Sequence, residues 1–318
     1  MFSIAYHASH EQFAPSLLLK YVKLAEQAGF GAIHSSDHFH PWSKRQGQSG
    51  FAFSWIGAAL HATNLPFSMV CAPGQRYHPA VVAQAIATLS EMFPGRFDVE
   101  LGSGEAINEM ITAEPWPSKN ERNQRLLECA AIIRRLLENE EVSFSGLVKV
   151  KEAKLYTLPS QLPALFCAAL SLETAAWSGS WADGLLTTAG SEDEVLRKKN
   201  AFEDNGGAGK PVYLQFSFSY AKTKSEARQE AFDQWRMNVC SKEELAELYK
   251  PEHFDEKLRN VTIHEVSEKT NIITNVEQLA EKLHSYRELG IDRIVLHNVS
   301  RNQELFIEHF NRYANDFI

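Results

Sequence analysis

A short apolar run followed by an amphipathic helical pattern recurs along this 318-residue chain. Such alternation is typical of βα units, whose strands pair in parallel while the helices cover the sheet. Eight strand candidates are found, and no linker-like segment separates them. The sequence therefore predicts a (β/α)8 TIM barrel that forms one domain over residues 1–318.

The predicted strands are short and well spaced. They cover residues 2–6, 32–35, 67–72, 97–101, 165–169, 184–188, 212–220 and 293–297. Residues 141–155 alternate around Ser145-Gly146 and predict an inserted β-hairpin, and residues 241–274 predict an irregular insertion that contains helices. An open doubly wound sheet is disfavoured, because no G-x-G-x-x-G motif follows the first strand.

Charge and composition narrow the class of partner. The formal net charge is −8, and no cluster of five or more basic residues occurs, which disfavours nucleic acid and anionic membranes as partners. The first ten residues lack the features of a signal peptide, and no apolar run is long enough to cross a bilayer. We therefore expect a cytoplasmic protein with a small-molecule substrate. The four cysteines form no C-x-x-C pair and are interpreted as reduced core thiols: Cys71, Cys129, Cys167 and Cys240.

The most unusual strand end is that of the second strand. It carries Asp37, His38, His40 and Trp42. A carboxylate beside two imidazoles and an indole suits acid–base chemistry next to a flat ligand, although an ordinary hydrogen-bonded polar loop would also account for it. Asp37, His38 and His40 also have a spacing used by metal ligands on barrel strands. A metal-dependent hydrolase is thus an alternative, but the sequence requires no second ligand pair, and no metal is expected.

The fourth and fifth strands also end in distinctive residues. Gly102 and Gly104 would let a ligand approach the backbone closely, and Glu105 could hold or give a proton there. A tight turn with an acidic residue at a helix start explains the same pattern. After the fifth strand, Ser171 and Thr174 place two hydroxyls at a helix start, which suits a phosphate or simple helix capping.

Taken in order, these segments resemble the luciferase-like flavin oxidoreductases. The resemblance is closest to the branch that includes the deazaflavin-dependent glucose-6-phosphate dehydrogenases. The matching segments are residues 6–15, 36–42, 76–80, 93–96, 102–109, 116–117 and 182–184. The C-terminal third of the chain matches only loosely.

The resemblance implies a flavin-like ring stacked over a bulge in the third strand, with a non-proline cis peptide at Met69-Val70. It implies that His38 acts as acid or base and that Glu105 donates a proton. It also implies that Trp42 shapes the pocket. The positions that match cofactor contacts are Asp37, Met69, Val70, Gly104 and Asn108. Family members of this kind are expected to form homodimers through helices near the second and third strands.

Three departures from the deazaflavin branch bear on the cofactor and on the substrate. Ala169-Leu170 replaces a Gly-Gly pair, while Ser171 and Thr174 keep the spacing of an FMN phosphate site. Ser191 stands where sugar-phosphate members carry a lysine, so a substrate phosphate would lack its cation. Met69 replaces a smaller polar residue.

These departures favour FMN over the deazaflavin coenzyme F420. FMN would permit monooxygenation with oxygen or simple two-electron transfer, whereas the deazaflavin implies hydride transfer alone. A non-catalytic flavin-binding protein is a further alternative. It is disfavoured by Asp37, His38 and Glu105, because a carrier has no need of proton donors.

Overall fold

The computed structural model describes residues 2–317. Its strands, in chain order, are β1 (Ser3–Ala8), β2 (Ala32–Ser35), β3 (Phe67–Cys71), β4 (Phe97–Leu101), β5 (Val142–Ser145), β6 (Lys149–Ala153), β7 (Leu165–Ala168), β8 (Leu185–Thr188), β9 (Val212–Tyr220), β10 (Asn271–Ile273) and β11 (Arg293–Asn298). Eight of them pair in parallel in the order β1-β2-β3-β4-β7-β8-β9-β11, and β11 pairs with β1 to close the ring. The predicted (β/α)8 barrel is confirmed.

Helices surround the ring. They are α1 (Pro15–Gln27), α2 (Ala52–Ala62), α3 (Pro79–Met92), α4 (Ala106–Glu109), α5 (Lys119–Leu137), α6 (Leu172–Ser178), α7 (Glu192–Phe202), α8 (Lys224–Gln234), α9 (Lys242–Glu247), α10 (Pro251–Lys257), α11 (Ile263–Lys269), α12 (Val276–Glu288) and α13 (Gln303–Phe317). The residues at their first turns explain where several of these helices begin. Pro15 occupies the first turn of α1, and capping boxes open α7 at Ser191 and α8 at Thr223.

Apolar side chains fill the barrel interior towards the amino-terminal ends of the strands, and the interior is open at their carboxyl-terminal ends. Side chains from six strands pack inside it as one cluster: Ala5, Ala32, Phe166, Leu186, Tyr213 and Val295. Nearer the carboxyl ends, strands that are otherwise buried carry half-buried residues at Val70, Ala168, Thr188, Gln215 and Ser217. The barrel therefore has a hollow at its carboxyl-terminal mouth, where barrel enzymes place their sites.

Two segments of the chain lie outside the eight-stranded ring. β5 and β6 form the predicted antiparallel hairpin. The second insertion contains α9, α10 and α11, and also β10, which pairs with β9 and was not predicted. Three residues are too few to show an alternating pattern.

The expected bulge and cis peptide in the third strand are wrong. β3 pairs with β4 in continuous register from Phe67 to Cys71, and no cis peptide occurs within residues 2–317. The register leaves no extra residue to form a bulge.

None of the helices described is both long and apolar enough to cross a membrane. The four cysteines are free thiols, of which Cys240 is half-buried and the other three are buried.

Candidate active site

The loops that follow β1, β2 and β4 bring three titratable side chains together at the barrel mouth. Nε2 of His38 lies 3.2 Å from a carboxylate oxygen of Glu11 and 3.8 Å from one of Glu105. The structure thus joins His38 and Glu105, as the resemblance implied, and adds Glu11 as a third member. Such a group can hold and move protons at one point of the mouth.

Glu11 is buried and firmly held. The hydroxyls of Ser9 and Ser36 each donate to its Oε2 atom at 2.8 Å. Burial alone would raise the pKa of Glu11, but the neighbouring His38 and the hydrogen bonds outweigh it and keep the pKa below its ordinary value. Glu11 is therefore a permanent carboxylate at neutral pH.

Sequence reasoning did not single out Glu11. It lies within a segment that carried the family resemblance, residues 6–15, and it follows the carboxyl end of β1. The rule that barrel sites form at the carboxyl ends of strands applies to the first strand as well as to the second and fourth, and it could have identified this residue.

Glu105 differs from Glu11 in exposure and in pKa. Its side chain is 32% exposed and stands at the start of α4. Burial raises the pKa of Glu105 to about 7, with Glu11 and Glu109 adding to the effect and His38 opposing it. Glu105 can therefore exchange a proton near neutral pH, which its predicted role as proton donor requires.

The turn before Glu105 requires glycine. Gly104 has a φ of +84°, which side chains rarely tolerate, and a Cβ there would lie 3.0 Å from Cγ of Glu109. The positive φ directs the chain into α4 and places Glu105 at the mouth.

Asn108 connects the members of the site. Its side-chain oxygen accepts a hydrogen bond from the backbone of Phe39 at 2.9 Å. Its amide nitrogen lies 3.3 Å from Nδ1 of His38 and 3.5 Å from Oε2 of Glu105. Asn108 therefore orients the acid–base pair, in addition to any contact with a cofactor.

Asp37 is committed to an internal ion network. Its Oδ2 lies 2.8 Å from a guanidinium nitrogen of Arg76, and its Oδ1 accepts from the hydroxyl of Tyr77 at 3.2 Å. The backbone amide of Arg76 donates to Glu109 at 2.7 Å. Burial raises the pKa of Asp37, although Arg76 and His38 oppose it. The network ties together the loops after β2, β3 and β4, and both oxygens of Asp37 are bonded inside the protein.

Trp42 forms an apolar wall beside His38. The two rings lie 5.1 Å apart, and Trp42 packs edge-on against Phe254 of α10 at 5.4 Å. The wall consists of Trp42, Ile107, Trp235, Met237, Phe254, Leu258 and Val299. The second insertion thus supplies part of the surface next to the acid–base group.

The floor of the hollow consists of small and apolar side chains. Val70 and Ala168 face the inside of the barrel and are half-buried, and a Cβ on Gly102 would lie 3.9 Å from Ala168. Met69 points the other way, into the fully buried core beneath the helices. Only Val70 of the predicted Met69-Val70 pair therefore presents its side chain to the hollow.

His297, which follows the inward-facing Val295 on β11, carries one of several buried polar atoms that lack a hydrogen-bond partner among the residues described. Nδ1 of His297 lies 3.2 Å from the amide nitrogen of Gln215, so it accepts, and Nε2 is then the donor. Nε2 of His297 has no hydrogen-bond partner among the residues described. Small apolar side chains and an unsatisfied donor fit a planar, hydrogen-bonding ring such as a flavin or deazaflavin.

A buried polar chain that was not predicted crosses the barrel interior. Nδ1 of His7 and Nδ1 of His34 share a hydrogen bond of 2.7 Å, and Nε2 of His34 lies 2.8 Å from Glu100. Burial lowers the pKa of His7 well below its ordinary value, and His297 and His34 lower it further. The sequence signal that could have indicated this chain is a histidine on β2 and a glutamate on β4, both at inward-facing positions.

The predicted hydroxyl pair after β7 is present. Oγ of Ser171 lies 3.0 Å from Oγ1 of Thr174 and also accepts from the Thr174 amide, so it caps α6. A lysine that the sequence did not indicate lies near the end of β8. Ser191 indeed caps α7, but Nζ of Lys198 returns to the carbonyl of Thr188 at 3.2 Å.

The metal alternative finds no support in the geometry. Asp37 binds Arg76, and Nδ1 of His40 lies 2.7 Å from the carbonyl of Ile107, so the three candidate ligands do not converge. Across the part of the chain that the structure describes, no group of three or more His, Cys, Asp or Glu side chains could hold a metal ion.

Comparisons with known proteins place the chain among oxidoreductases. The family model described as luciferase-like monooxygenase matches residues 1–293. The F420-dependent glucose-6-phosphate dehydrogenase of Beutenbergia cavernae is 32% identical over 329 residues, which cover 100% of this chain and 97% of the relative. The enzyme of the same name from Mycolicibacterium smegmatis is 31% identical over 322 residues and 97% of this chain, with 96% of the relative covered.

Solved structures show the same architecture. An F420-dependent secondary alcohol dehydrogenase, solved with an F420-acetone adduct, superposes with a TM-score of 0.91 at 28% identity, covering 100% of both chains. The monooxygenase RslO1 of Streptomyces bottropensis has a TM-score of 0.69 at 18% identity, covering 98% of this chain and 100% of that one. At that identity the second match shows the fold alone.

Proposed function

The chain is an oxidoreductase of the luciferase-like monooxygenase family, and from this premise we propose that it uses coenzyme F420 to move a hydride between the deazaflavin and a small alcohol or carbonyl compound. The observation that carries the proposal is the placement of His38 between Glu11 and Glu105 beside a hollow lined by small apolar side chains.

The choice of F420 replaces the preference for FMN that the sequence suggested. That preference depended on Ser171, Thr174 and the absence of a glycine pair. The relatives that are 31% and 32% identical over nearly the whole chain are both named as F420-dependent, and so is the structure at 28% identity. The names of these relatives support neither FMN as the cofactor nor oxygen as a reactant.

When bound, the deazaflavin ring supplies a carbon atom that accepts or donates a hydride. The protein must then manage the proton on the substrate oxygen. His38 takes this proton when an alcohol is oxidised and returns it when a carbonyl is reduced. The fixed carboxylate of Glu11 stabilises the charged imidazole, because it lies 3.2 Å from Nε2.

Glu105 connects His38 with solvent. It lies 3.8 Å from Nε2 of His38, and its 32% exposure allows it to exchange protons with water. A carboxyl group with a pKa of about 7 can both give and take a proton at neutral pH. The wall around Trp42 limits the access of water to the substrate side of the imidazole.

The proposed cofactor contacts follow the prediction with one change. Val70 provides floor, Gly104 allows close approach, and Ser171 with Thr174 offers hydroxyls to a phosphate group. Asp37 and Asn108 contribute mainly by holding the loops and the acid–base pair. The Met69 side chain is left out because it faces the outer core. A homodimer remains part of the proposal.

A binding and turnover experiment tests the proposal. Purified protein is titrated with coenzyme F420 and, separately, with FMN, and the dissociation constants are measured by fluorescence quenching. Loss of the deazaflavin absorption is then followed with secondary alcohols and with sugar phosphates. We expect binding of F420 in preference to FMN and turnover that the His38→Asn variant loses, with exposed His284→Asn as the control. Tight binding of FMN together with failure to bind F420 would overturn the proposal.

A further inference from the structure

Three lysine ammonium groups from separate helices meet neutral oxygen atoms at the carboxyl ends of β7 and β8. Nζ of Lys119, at the start of α5, lies 3.4 Å from Oγ of Ser171. Nζ of Lys242, at the start of α9, donates at 3.0 Å to the carbonyl of the residue before Ser171. Nζ of Lys198, on α7, donates at 3.2 Å to the carbonyl of Thr188. These ammonium groups border one side of the barrel mouth.

Their electrostatic effects overlap. Burial lowers the pKa of Lys198, and the positive charge of Lys242 lowers it further. Hydrogen bonds to its own backbone and to Ser171 lower the pKa of Glu173, and both Lys119 and Lys242 add to that shift. The ammonium groups therefore act on the same small region and repel one another.

The cluster has no carboxylate in direct contact. Within the described part of the chain, no Asp or Glu oxygen lies within 4.0 Å of the Nζ atoms of Lys119, Lys198 or Lys242. Ammonium groups that rest on neutral oxygens retain the capacity to bind anions. Three of them, spread over two strand ends, suit a ligand with several negative charges along its length.

The position of the cluster indicates which ligand reaches it. In the ring order β1-β2-β3-β4-β7-β8-β9-β11, β7 stands opposite β1, and β8 stands opposite β2. The lysines therefore lie across the mouth from Glu11 and His38, which follow β1 and β2. A small substrate at His38 would not span this distance, whereas an elongated cofactor would.

We propose that Lys119, Lys198 and Lys242 form a clamp for the anionic tail of coenzyme F420 and thereby select it over FMN. Beyond its ring, coenzyme F420 carries a phosphodiester and then a series of carboxylates, whereas FMN ends in a single phosphate. The clamp rests on the proposed function, because it concerns the same cofactor. It adds three specificity-determining residues outside the acid–base group.

The test compares coenzyme F420 with the deazaflavin riboside that lacks the phosphate and carboxylates. Dissociation constants are measured by fluorescence quenching for the wild type, for K119Q, K198Q and K242Q, and for the triple variant. The control is K23Q, because Lys23 is exposed on α1, away from the mouth. Melting temperatures establish that each variant is folded.

We expect each single variant to weaken F420 binding about three- to tenfold and the triple variant to weaken it more. Binding of the riboside should not change, and the salt dependence of F420 binding should become less steep in the triple variant. Unchanged F420 affinity in the triple variant would overturn the clamp. So would a rise in KM for an anionic substrate without loss of F420 affinity, which would assign the lysines to the substrate. If the wild type binds the riboside but gains nothing from the tail, the clamp fails and the proposed function stands. If it binds neither form, both fail.

Discussion

Nε2 of His38 lies 3.2 Å from a carboxylate oxygen of Glu11. The other oxygen of Glu11 accepts from two serine hydroxyls, so the carboxylate cannot turn away from the imidazole. A fixed negative charge at this distance stabilises the imidazolium more than the neutral ring. Glu11 therefore holds a fixed negative charge against the His38 ring at the mouth.

Replacing Glu11 by glutamine should lower kcat/KM for alcohol oxidation about a hundredfold or more, because the charged form of His38 loses its counter-ion. The two serine hydroxyls can still donate to the carbonyl oxygen of the new amide side chain, so the local structure should persist. Steady-state kinetics measure the effect, and F420 binding by fluorescence should remain within about twofold of wild type. Full activity in E11Q would remove Glu11 from the mechanism.

Glu105 should make the reaction rate depend on pH near neutrality, whereas Glu11 should not. Because the pKa of Glu105 is raised to about 7, this carboxyl group is protonated below that pH and charged above it. The rate of carbonyl reduction, in which Glu105 gives a proton, should therefore fall as the pH rises through 7. The pH–rate profile of Glu105→Gln should lack this limb, and its kcat should be lower by about a hundredfold.

Stability provides the control for Glu105→Gln. The folded pKa lies above the ordinary value of 4.5, so folding disfavours the charged form. The charged Glu105 therefore costs stability at pH values above 7, and a neutral glutamine removes that cost. We expect an equal or higher melting temperature for E105Q at pH 8. A clear decrease would assign the kinetic loss to misfolding.

A feature of this molecule could be predicted from the sequence where the residues that determine it lie close together in the chain. The barrel strands follow from local apolar runs, and helix starts such as Ser191 follow from local capping chemistry. His38 and Glu105 were identified because each stands at a strand end with unusual neighbours. The orientation of Met69, by contrast, depends on register, and a shift of one residue exchanges the inner and outer faces.

Contacts between distant segments escaped sequence reasoning. The return of Lys198 to Thr188 depends on how α7 packs against β8, and no local pattern encodes it. The pairing of His34 with Glu100 joins two strands that are not neighbours in the sheet, because β3 lies between them. The preference for FMN depended on Ser171, Thr174 and the missing glycine pair, which are local features that say nothing about the other side chains at the mouth.

The contact between Phe254 and Trp42 should matter for the substrate and not for the cofactor. Phe254 is fully buried, and its ring meets that of Trp42 edge-on at 5.4 Å. Phe254→Ala should leave a cavity behind Trp42, lower the free energy of unfolding by about 3 kcal/mol and raise the substrate KM. Phe254→Leu fills more of the space and should recover most of both effects. An unchanged KM in the alanine variant would separate α10 from the substrate wall.

Arg76 should be a major determinant of stability at the mouth. Its guanidinium group lies 2.8 Å from Asp37 and 3.4 Å from Glu109, and all three side chains are nearly inaccessible. Arg76→Met leaves two buried carboxylates without a cation, which should cost about 3–5 kcal/mol in urea unfolding. The control is Arg45→Met, whose exposed pair with Asp233 should contribute at most about 1 kcal/mol. Equal losses for the two variants would contradict the network.

The buried contact between His34 and Glu100 can be tested as a pair. The two side chains are 1% and 0% exposed and lie 2.8 Å apart, with His7 bonded to the far side of the His34 ring. Removing one partner leaves the other polar group stranded in the barrel interior, so His34→Gln and Glu100→Gln should each be strongly destabilising. The double variant should lose less than the sum of the two.

A double-mutant cycle in urea measures this coupling, which we expect to be about 1–3 kcal/mol. The matched control is the exposed pair of His264 and Glu268, whose atoms lie 3.5 Å apart and whose coupling should be too small to measure, because water screens it. The pH dependence of the reaction rate is a separate measurement. His7 and His34 lie beneath the mouth, so the double variant should keep the fall in rate above pH 7 that is assigned to Glu105, while its kcat is lower. Additive losses of stability would mean that His34 and Glu100 are each satisfied by other groups.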